Sequence, residues 1–308
     1  MSDACPVCAA EDWQHVETYV YRPNGAGLSE YQRLRQRILF EVWHPGADEV
    51  RLEAVACREC GFACYLPRPD DEAISAKYRF LQEHERTIGA VIGGPRGEAR
   101  DRKRAKRTMK ALGLSGPSRV LDFGGGDGKL LAPFVDAGHD CYLVDYNTDP
   151  LPGVKKLADT LEGVDEQFDA IICSHVLEHV ADPLGTLRDL RERLRPGGRI
   201  YAEVPSEVWR GIPIERDPVT HVNFFTVASF TRLFAMAGLP TWATERAGSY
   251  GSQGKPVIVA VAQRAAGVDE TRRRLAPKPA DWALRALHSG RLPTWRNVRT
   301  LLSSLRRR

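Results

Sequence analysis

The sequence has no apolar run long enough to cross a membrane and no export signal at its start. No stretch of about 18 uninterrupted apolar residues occurs, which argues against a transmembrane helix. The first residues, MSDACPVCAAEDW, lack the basic segment and apolar run of a secretory signal. Internal repeats and long low-complexity segments are also missing. We therefore expect a cytoplasmic protein, and a hydrophobic content of 43% suffices for a sizeable core.

The cysteine count is odd, which argues against a disulfide framework that pairs every cysteine. Of the seven cysteines, four lie in two CxxC pairs, Cys5 with Cys8 and Cys57 with Cys60. Each pair lets two thiolates meet one ion, and two pairs form the tetrahedral Cys₄ set that suits structural Zn²⁺. The long separation of the pairs is unusual for a simple zinc ribbon, so we expect two hairpin arms between them. A redox-active pair is the alternative interpretation.

Positive charge is concentrated at the C-terminal end. The formal net charge is +4, but residues 271–308 carry eleven Arg or Lys and one acid, Asp281. Apolar residues recur at helical spacing in this segment, namely Trp295, Val298, Leu301, Leu302 and Leu305. A basic amphipathic tail predicts peripheral contact with an anionic membrane surface or with nucleic acid. The alternative is a solvated terminal helix packed on the body of the protein.

Composition divides the chain into four sections. Residues 1–70 hold the cysteine pairs and alternating segments such as ILFEVW and VRLEAVAC, which predict a small β-rich zinc-binding domain. Residues 71–117 read as a helical linker or lid. Residues 118–266 alternate strand-like and helix-like segments, which predicts an α/β domain with a mostly parallel sheet and an antiparallel last strand. Residues 267–308 form the basic, helical C-terminal tail.

Individual elements of the α/β section follow from periodicity and from glycine and proline signals. The predicted strands are SRVLDF, DCYLVD, GVKKLADTL, FDAIICS, RIYAEV, TWATERA and PVIVAVAQ. The predicted helices are GKLLAPFVDAG, DPLGTLRDLRERL and VASFTRLFAMAG. We expect Gly197 and Gly198 to stop the second helix, and Gly238 to stop the third.

A glycine-rich turn follows the first of these strands, in the segment VLDFGGGDGKLL. It contains Gly124, Gly125 and Gly126, flanked by two acids, and such a turn presents backbone N–H groups to a ligand. Asp122 and Asp127 would gain nothing from a phosphate, but they suit a cationic or hydroxyl-bearing group. Asp145 lies about 20 residues on, where an acid can accept both ribose hydroxyls, and Tyr146 offers a ring beside an adenine. A nucleoside with an amino-acid-like, partly positive end fits this set, and S-adenosylmethionine is such a ligand.

Four segments in the same order resemble the class I S-adenosylmethionine-dependent methyltransferases, namely VLDFGGGDGKLL, VDYN, FDAIICSHVLEHVADP and LRPGGRIYAEVP. The resemblance implies a Rossmann-like sheet. In that family the glycine turn holds the methionine part of the cofactor, and the acid after the second strand holds its ribose. Carried over, these roles fall on Asp122, Gly124, Gly126 and Asp145. The resemblance also implies pocket-lining roles for Ser174 and His175, and contact of Asp159 with the adenine amino group.

Methyl transfer is an in-line attack on a sulfonium, so the protein must position the nucleophile and, for some acceptors, remove its proton. The candidate bases are His175, Glu178, His179 and His221. For His179 a packing or hydrogen-bonding role is the stronger interpretation. His221 lies in the loop after the fifth strand, which is expected to overhang the strand ends where the acceptor binds. For His221 a structural role is equally open.

The cysteine pairs together with this core resemble the zinc-containing sugar methyltransferases, including the C-methyltransferases of deoxysugar biosynthesis. Those carry a Tyr-His-Glu-His motif before an aromatic-rich stretch. In PVTHVNFF only the last histidine, His221, is kept, and Pro218 stands at the tyrosine position. The extra C-terminal Rossmann-like domain of those enzymes has no counterpart in the sequence either. We therefore expect O-methylation, rather than C-methylation, of a small hydroxylated acceptor such as a sugar, nucleotide sugar or glycan.

Two other functions fit parts of the sequence. A nucleic-acid methyltransferase would bind through the cysteine pairs and the basic segments at 96–110 and 271–308. The Asn/Asp-Pro-Pro-Tyr motif that clamps an exocyclic base amine is missing, however, and SHVLEH stands in its place. A non-catalytic S-adenosylmethionine-binding scaffold is the third function, because the glycine turn and Asp145 indicate only binding. The sequence does not indicate an oligomeric state.

Overall fold

The computed structural model describes residues 4–23, 27–84, 95–146, 149–208, 217–250 and 255–266. The basic tail predicted at 267–308 lies outside the described residues. The strands are β1 (Trp13–Tyr21), β2 (Val50–Cys57), β3 (Ala63–Leu66), β4 (Arg119–Phe123), β5 (Asp140–Val144), β6 (Val154–Ala158), β7 (Phe168–Ser174), β8 (Leu194–Pro205), β9 (Thr244–Tyr250) and β10 (Lys255–Gln263). The helices are α1 (Glu30–Arg37), α2 (Asp71–Glu83), α3 (Pro95–Leu112), α4 (Ala132–Asp136), α5 (Pro183–Glu192) and α6 (Val227–Met236).

The described residues form a seven-stranded sheet in the order β6-β5-β4-β7-β8-β10-β9. The first five of these strands are parallel, and β10 runs antiparallel to both β8 and β9. Strand β7 is apolar along almost its whole length because both faces of a central parallel strand are covered. The predicted Rossmann-like class I methyltransferase sheet, mostly parallel with an antiparallel last strand, is confirmed. The carboxyl ends of β4, β5, β7 and β8 meet at one edge, and ligand sites of such sheets lie there.

Two local predictions in this domain need correction. The segment predicted as one helix after the glycine turn is a 3₁₀ turn, Lys129–Leu131, followed by the short α4. Gly197 and Gly198 do not stop a helix, since α5 ends at Glu192 and both glycines lie within β8. A Cβ on Gly198 would lie 3.1 Å from the main-chain oxygen of Phe168, so this glycine permits close approach to β7.

The N-terminal part contains a three-stranded antiparallel sheet in the order β1-β2-β3. Segment VRLEAVAC is strand β2, as predicted, but ILFEVW is not a strand. It continues α1 as a π-helical turn, Ile38–Trp43, in which Ile38, Leu39 and Phe40 are buried. The connection between the two cysteine pairs is therefore β1, a helix and β2, and the prediction of two hairpin arms is wrong. Alternation in a short apolar segment did not distinguish a strand from a helix here.

The N-terminal sheet packs directly against the seven-stranded domain. Ala63 in β3 exchanges two backbone hydrogen bonds with Phe224, of 3.0 and 2.9 Å. The Tyr65 ring lies edge-on to that of Phe224, and Phe62 packs on Phe225. The segment before α6 is thereby held by the cysteine-rich part of the chain. The predicted division of the chain into four sections, with boundaries at 70, 117 and 266, stays a prediction. The apolar cores include residues from both sides of the first boundary.

Candidate active site

The glycine turn after β4 leaves no room for side chains on its inner face. Gly124 and Gly126 have φ of +68° and +62°, the left-handed region that favours glycine. A Cβ on Gly124 would lie 2.5 Å from Val176 Cγ2, and one on Gly125 would overlap the Asp122 carboxylate. A Cβ on Gly126 would meet nothing within 4 Å, so this part of the turn faces open space. The turn therefore packs on the chain after β7 and presents Gly126 outward.

Asp145 at the end of β5 is tied to the same turn. Its Oδ2 accepts a hydrogen bond of 2.8 Å from the Gly126 N–H, which brings together the two features predicted to bind one ligand. Tyr146 is 45% exposed and stacks on Tyr78 of α2, with ring centroids 6.2 Å apart. Tyr78 was not predicted as a site residue. It lies in a helix far from Tyr146 in sequence, and nothing in its local sequence indicates the contact. An aromatic face thus lies next to the carboxylate predicted to hold a ribose.

Asp122 is a fully buried acid without a hydrogen-bond partner for either carboxylate oxygen among the described residues. Burial raises the pKa of Asp122 to about 7; Arg104 opposes this shift, and Asp145 and Asp127 add to it. A buried carboxylate without a donor is costly, and a cationic ligand group close by would offset the cost. The unpartnered acid, the open face at Gly126 and Asp145 together fit the amino-acid and ribose parts of S-adenosylmethionine.

Two further acids predicted to bind the cofactor face solvent and pair with nearby lysines. Asp127 Oδ2 lies 2.7 Å from Lys129 Nζ, just after the glycine turn. Asp159, directly after β6, lies 2.5 Å from Lys156 Nζ, and its side chain is 61% exposed. The roles of Asp127 and Asp159 stay predictions.

A buried ionic group lies at the ends of β7 and β8. His175 Nδ1 is 3.1 Å from Glu178 Oε1, and its Nε2 is 3.2 Å from Glu203 Oε1. Glu203 Oε2 accepts a 2.8 Å hydrogen bond from the Tyr201 hydroxyl, and Ser174 Oγ donates to Oε1 at 3.4 Å. Glu203 was not predicted, because an acid inside an apolar strand looks like an ordinary outward-facing position. Ser174, His175 and Glu178, which were predicted, do come together.

The protonation of this group follows from its surroundings. Burial opposes protonation of His175, but hydrogen bonds to Glu178 and Glu203 outweigh it and raise the pKa of His175. Burial likewise opposes ionisation of Glu203, and His175 and Tyr201 outweigh it and lower its pKa to about 2. His175 also has a left-handed backbone, with φ of +60°. An imidazolium held between two carboxylates is a poor proton acceptor, so this geometry favours a positioning role for His175.

A second group lies next to the first and contains the predicted base His221. His221 Nδ1 is 2.7 Å from Glu207 Oε2, and both side chains are buried. The ring of His179 lies edge-on to that of His221, with centroids 4.8 Å apart. His179 Nδ1 donates to the Thr220 carbonyl at 2.8 Å. Burial, together with the nearby His221 and Lys77, holds the pKa of His179 well below its usual range, so this ring is neutral.

Residues distant in sequence hold the loop that carries His221. Arg35 of α1 donates from Nε to Asp217 Oδ2 at 2.7 Å and also contacts Thr220 Oγ1. The buried Lys77 of α2 donates to the carbonyls of Val219 and Thr220, at 2.8 and 3.3 Å. Burial raises the pKa of Asp217, but Arg35 and Thr220 outweigh it and lower that pKa. Helices α1 and α2 therefore fix the loop that carries His221.

The four predicted metal ligands converge at one point of the N-terminal part. Cys5 Sγ lies 3.7 Å from Cys60 Sγ, and Cys8 Sγ lies 3.6 Å from Cys57 Sγ. All four sulfur atoms lie within 4.8 Å of one another. Disulfide bonds are about 2.05 Å long, and a tetrahedron with Zn–S bonds of about 2.3 Å has edges near 3.8 Å. The cluster has the spacing of a closed tetrahedral thiolate site.

Comparisons with known proteins match the central part of the chain. A family model described as a methyltransferase domain matches residues 97–244. Over 110 residues the chain is 34% identical to the ubiquinone biosynthesis O-methyltransferase of Aeromonas salmonicida (strain A449), covering 30% of this chain and 45% of the relative. Over 128 residues it is 31% identical to the tRNA 5-carboxymethoxyuridine methyltransferase of Escherichia coli (strain K12), covering 35% and 49%. The chain thus spans about half the length of the curated relatives it matches.

One solved structure shares the fold over most of this chain. It is the 1,6-didemethyltoxoflavin-N1-methyltransferase of Burkholderia thailandensis with bound 1,6-didemethyltoxoflavin and S-adenosylhomocysteine. The TM-score is 0.50 at 19% identity, over 70% of this chain and 95% of that one. The family match, the strand order and the glycine turn joined to Asp145 agree: residues 97–244 match a methyltransferase domain, within a sheet that has the Rossmann-like fold of S-adenosylmethionine-dependent methyltransferases.

Proposed function

We propose that the protein transfers the methyl group of S-adenosylmethionine to a hydroxyl oxygen of a small acceptor. The observation that carries this proposal is the buried His221–Glu207 pair beside the turn after β7. With the Nδ1 proton directed to the Glu207 carboxylate, His221 Nε2 carries the lone pair and can accept a proton. A hydroxyl acceptor needs such a group, whereas a thiolate or an amine that is already neutral does not.

The residues divide the work between binding and proton transfer. S-adenosylmethionine, when bound, would supply a methyl group on its sulfonium sulfur. The acceptor oxygen would form a bond to that methyl carbon, and the electron pair of the broken carbon–sulfur bond would stay on the sulfur. Asp145 and the Gly126 region hold its ribose and amino-acid parts, and Asp122 compensates its ammonium. His221 Nε2 takes the hydroxyl proton, and Glu207 stabilises the resulting imidazolium. Glu178 and Glu203 keep His175 oriented beside the reacting groups.

The acceptor class follows from the relatives and from the cysteine pairs. The relative from Aeromonas salmonicida is named as an O-methyltransferase of ubiquinone biosynthesis, which favours oxygen as the methylated atom. The saccharide-like acceptor rests on the resemblance carried by the cysteine pairs, and the names of the relatives reported above mention no saccharide. We therefore test phenolic and saccharide hydroxyls side by side.

We also infer that Cys5, Cys8, Cys57 and Cys60 hold one structural Zn²⁺. Three of these cysteines are buried, and the sulfur spacing suits the ion. Four thiolates leave no open position, so the ion would stabilise the N-terminal sheet and take no part in methyl transfer.

The test of the proposed function compares His221→Ala with the exposed control His15→Ala. Each protein is incubated with methyl-labelled S-adenosylmethionine and panels of catechols, phenols and nucleotide sugars, and S-adenosylhomocysteine release is measured. We expect His221→Ala to keep the affinity for S-adenosylmethionine and to lose about 10²- to 10⁴-fold in turnover, the usual contribution of a general base. Full turnover in His221→Ala would remove this residue as the base. If no hydroxyl acceptor is methylated although the cofactor binds, the scaffold function gains support instead.

A nucleic-acid acceptor is the second candidate, and two observations favour it. Helix α3 exposes Arg102, Lys103, Lys106 and Lys110, which form a basic face. The relative from Escherichia coli is named as a tRNA methyltransferase. Labelled methyl recovered in the RNA fraction of a lysate, and absent from small molecules, would replace the small-acceptor proposal. Membrane contact of the tail and a cytoplasmic location stay predictions; among the described helices, none is long and apolar enough to cross a membrane.

A further inference from the structure

We propose that Glu178, His179 and His221 form a second metal site, for a divalent transition-metal ion, on the acceptor side of the methyltransferase domain. Glu178 and His179 are adjacent in the turn after β7, and His221 comes from the segment before α6. One ligand atom from each lies within 4.8 Å of those of the other two. The site is distinct from the cysteine cluster in both position and ligand type.

Both imidazoles are oriented as metal-binding histidines are. A carbonyl oxygen can only accept, so the hydrogen bond from His179 to Thr220 fixes the proton on Nδ1 and leaves the lone pair on Nε2. The Glu207 carboxylate selects the same tautomer for His221. Metal-bound histidines commonly donate their other ring nitrogen to a carbonyl or a carboxylate in this way, which fixes the ring and raises its basicity. Two independent acceptors thus prepare two Nε2 atoms as ligands.

Glu178 supplies the observation that points to a cation. Its side chain is 1% exposed, and its Oε2 has no hydrogen-bond partner among the described residues. Leaving a buried carboxylate oxygen without a donor is unfavourable, and a bound cation would remove that cost. Glu178 Oε1 lies 3.9 Å from His179 Nε2. The carboxylate therefore lies beside one of the prepared nitrogens.

The backbone holds the three ligands in place. The carbonyl of Glu178 accepts hydrogen bonds from the N–H groups of Val222 and Asn223, at 2.9 and 3.1 Å. Asn223 Nδ2 returns two bonds to the carbonyls of Leu177 and Val180. Ligands around an ion with bonds of about 2.1 Å lie roughly 3 to 3.5 Å apart, so closing the site needs side-chain movement of about 1 Å. Because these backbone hydrogen bonds hold the two segments together, we expect this side-chain movement to be the main change when an ion binds.

Two imidazoles and one carboxylate suit Zn²⁺, Fe²⁺, Co²⁺ or Mn²⁺, and three protein ligands leave a position open. This part of the inference rests on the proposed function: a hydroxyl of the acceptor would occupy the open position. An ion lowers the pKa of an oxygen bound to it. In the metal-loaded protein His221 is then a ligand, and the ion promotes the proton loss for which His221 serves as base in the metal-free protein.

The test measures Mn²⁺ binding, because Mn²⁺ binds thiolates weakly and leaves the cysteine cluster undisturbed. The full chain is titrated with Mn²⁺ without any acceptor, and the free ion is followed by electron paramagnetic resonance. We expect one equivalent to bind to the wild-type protein and to the control His15→Gln. In Glu178→Gln and in His179→Gln we expect at least a tenfold weaker affinity. Equal Mn²⁺ affinity in wild type and both variants, or no binding to the wild type, would overturn the proposal.

A measurement on the wild-type protein alone guards against variants that fail to fold. Electron spin-echo spectra of the bound ion should show coupling to two imidazole nitrogens, and the lack of such coupling would contradict the proposed ligand set. The outcomes also separate this inference from the proposed function. If the wild-type protein binds no Mn²⁺ while its methyl transfer still depends on His221, only the metal site is refuted. Mn²⁺ binding without methyl transfer to any hydroxyl would refute only the proposed function.

Discussion

The proposed cofactor side and the proposed acceptor side of this site are built in different ways. On the cofactor side, Asp122, the glycine turn, Asp145 and Tyr146 come from one continuous stretch of chain. On the acceptor side, the segments after β7 and β8 meet the segment before α6, and helices α1 and α2 support them from the N-terminal part. The cofactor side thus depends on local backbone geometry, and the acceptor side depends on contacts between distant segments.

The N-terminal sheet and the residues Arg35 and Lys77 can therefore affect catalysis without touching the cofactor. Ala63 pairs with Phe224, close to His221, and Arg35 and Lys77 hold the same loop. The glycine turn, by contrast, contacts Asp145 and the start of the turn after β7. Disturbing the N-terminal sheet should therefore damage one side of the site and leave the other nearly intact.

The largest expected effect follows from removing the cysteine cluster. In Cys57→Ser we expect loss of one bound zinc ion and a destabilisation of about 3 to 4 kcal/mol. Because each kcal/mol lowers the melting temperature of a large domain by about 2–4 °C, the melting temperature should fall by about 10 °C. Methyl transfer should fall with it, while the affinity for S-adenosylmethionine changes by no more than a few fold. Elemental analysis, thermal unfolding and calorimetric titration measure the three quantities. Cys141→Ser, a buried cysteine outside the cluster, serves as control; parallel loss of cofactor affinity in Cys57→Ser would break the comparison.

The next effect tests the cofactor side alone. In Asp145→Ala the Gly126 N–H loses its acceptor and the ribose its predicted partner, so we expect S-adenosylmethionine to bind on the order of 100-fold more weakly, or about 2.7 kcal/mol. The matched control is Asp140→Ala, at the other end of β5, where the side chain is 65% exposed. Calorimetric titration gives both affinities. An unchanged affinity in Asp145→Ala would sink the ribose assignment.

The sequence allowed prediction of the cofactor side because its signals are local. Glycines with positive φ, the acid before them and the acid after the next strand stand at fixed spacings, and the alternation of strands and helices predicts a mostly parallel sheet, although not its strand order. The cysteine pairs were equally readable, although the π-helical turn between them was not. In a segment of six residues, five of them apolar, the pattern does not distinguish the period of a helix from that of a strand.

The acceptor side could be predicted only in part, for a physical reason. His175, Glu178 and His221 were identified as candidates, but their partners Glu203 and Glu207 were not. Glu203 contacts the segment after β7, and Glu207 contacts the loop before α6. Both contacts are tertiary, and the sequence around either acid does not indicate them. The same holds for Lys77, which looks like a surface lysine of an amphipathic helix and is buried against two carbonyls.

The smallest expected effect concerns Asp122 and depends on pH. Its pKa is raised by burial from about 3.9 in the unfolded chain to about 7, so the folded protein binds more protons than the unfolded chain between these values. The contribution of Asp122 to the stability of the cofactor-free protein should therefore fall as pH rises from about 4 to about 7, and stay constant above. In Asp122→Asn this slope should disappear. Removing the buried charge should stabilise Asp122→Asn at high pH by up to roughly 4 kcal/mol. The amide that replaces it is buried without a partner, which should destabilise the variant by about 1–3 kcal/mol.

In urea titrations without ligand, we expect the free energy of unfolding of Asp122→Asn to be about 1–2 kcal/mol higher than that of the wild type at pH 8. At pH 5 we expect it to be lower than that of the wild type. Saturating S-adenosylmethionine should narrow the difference at pH 8, because its ammonium compensates the carboxylate only in the wild-type protein. Asp136→Asn, at the end of α4, is the control and should keep the pH dependence of the wild-type protein. A slope that persists in Asp122→Asn would mean that another group titrates. A difference unaffected by the cofactor would mean that Asp122 stabilises the turn without meeting the ligand, and the cofactor side would then depend on Asp145 and the glycine backbone alone.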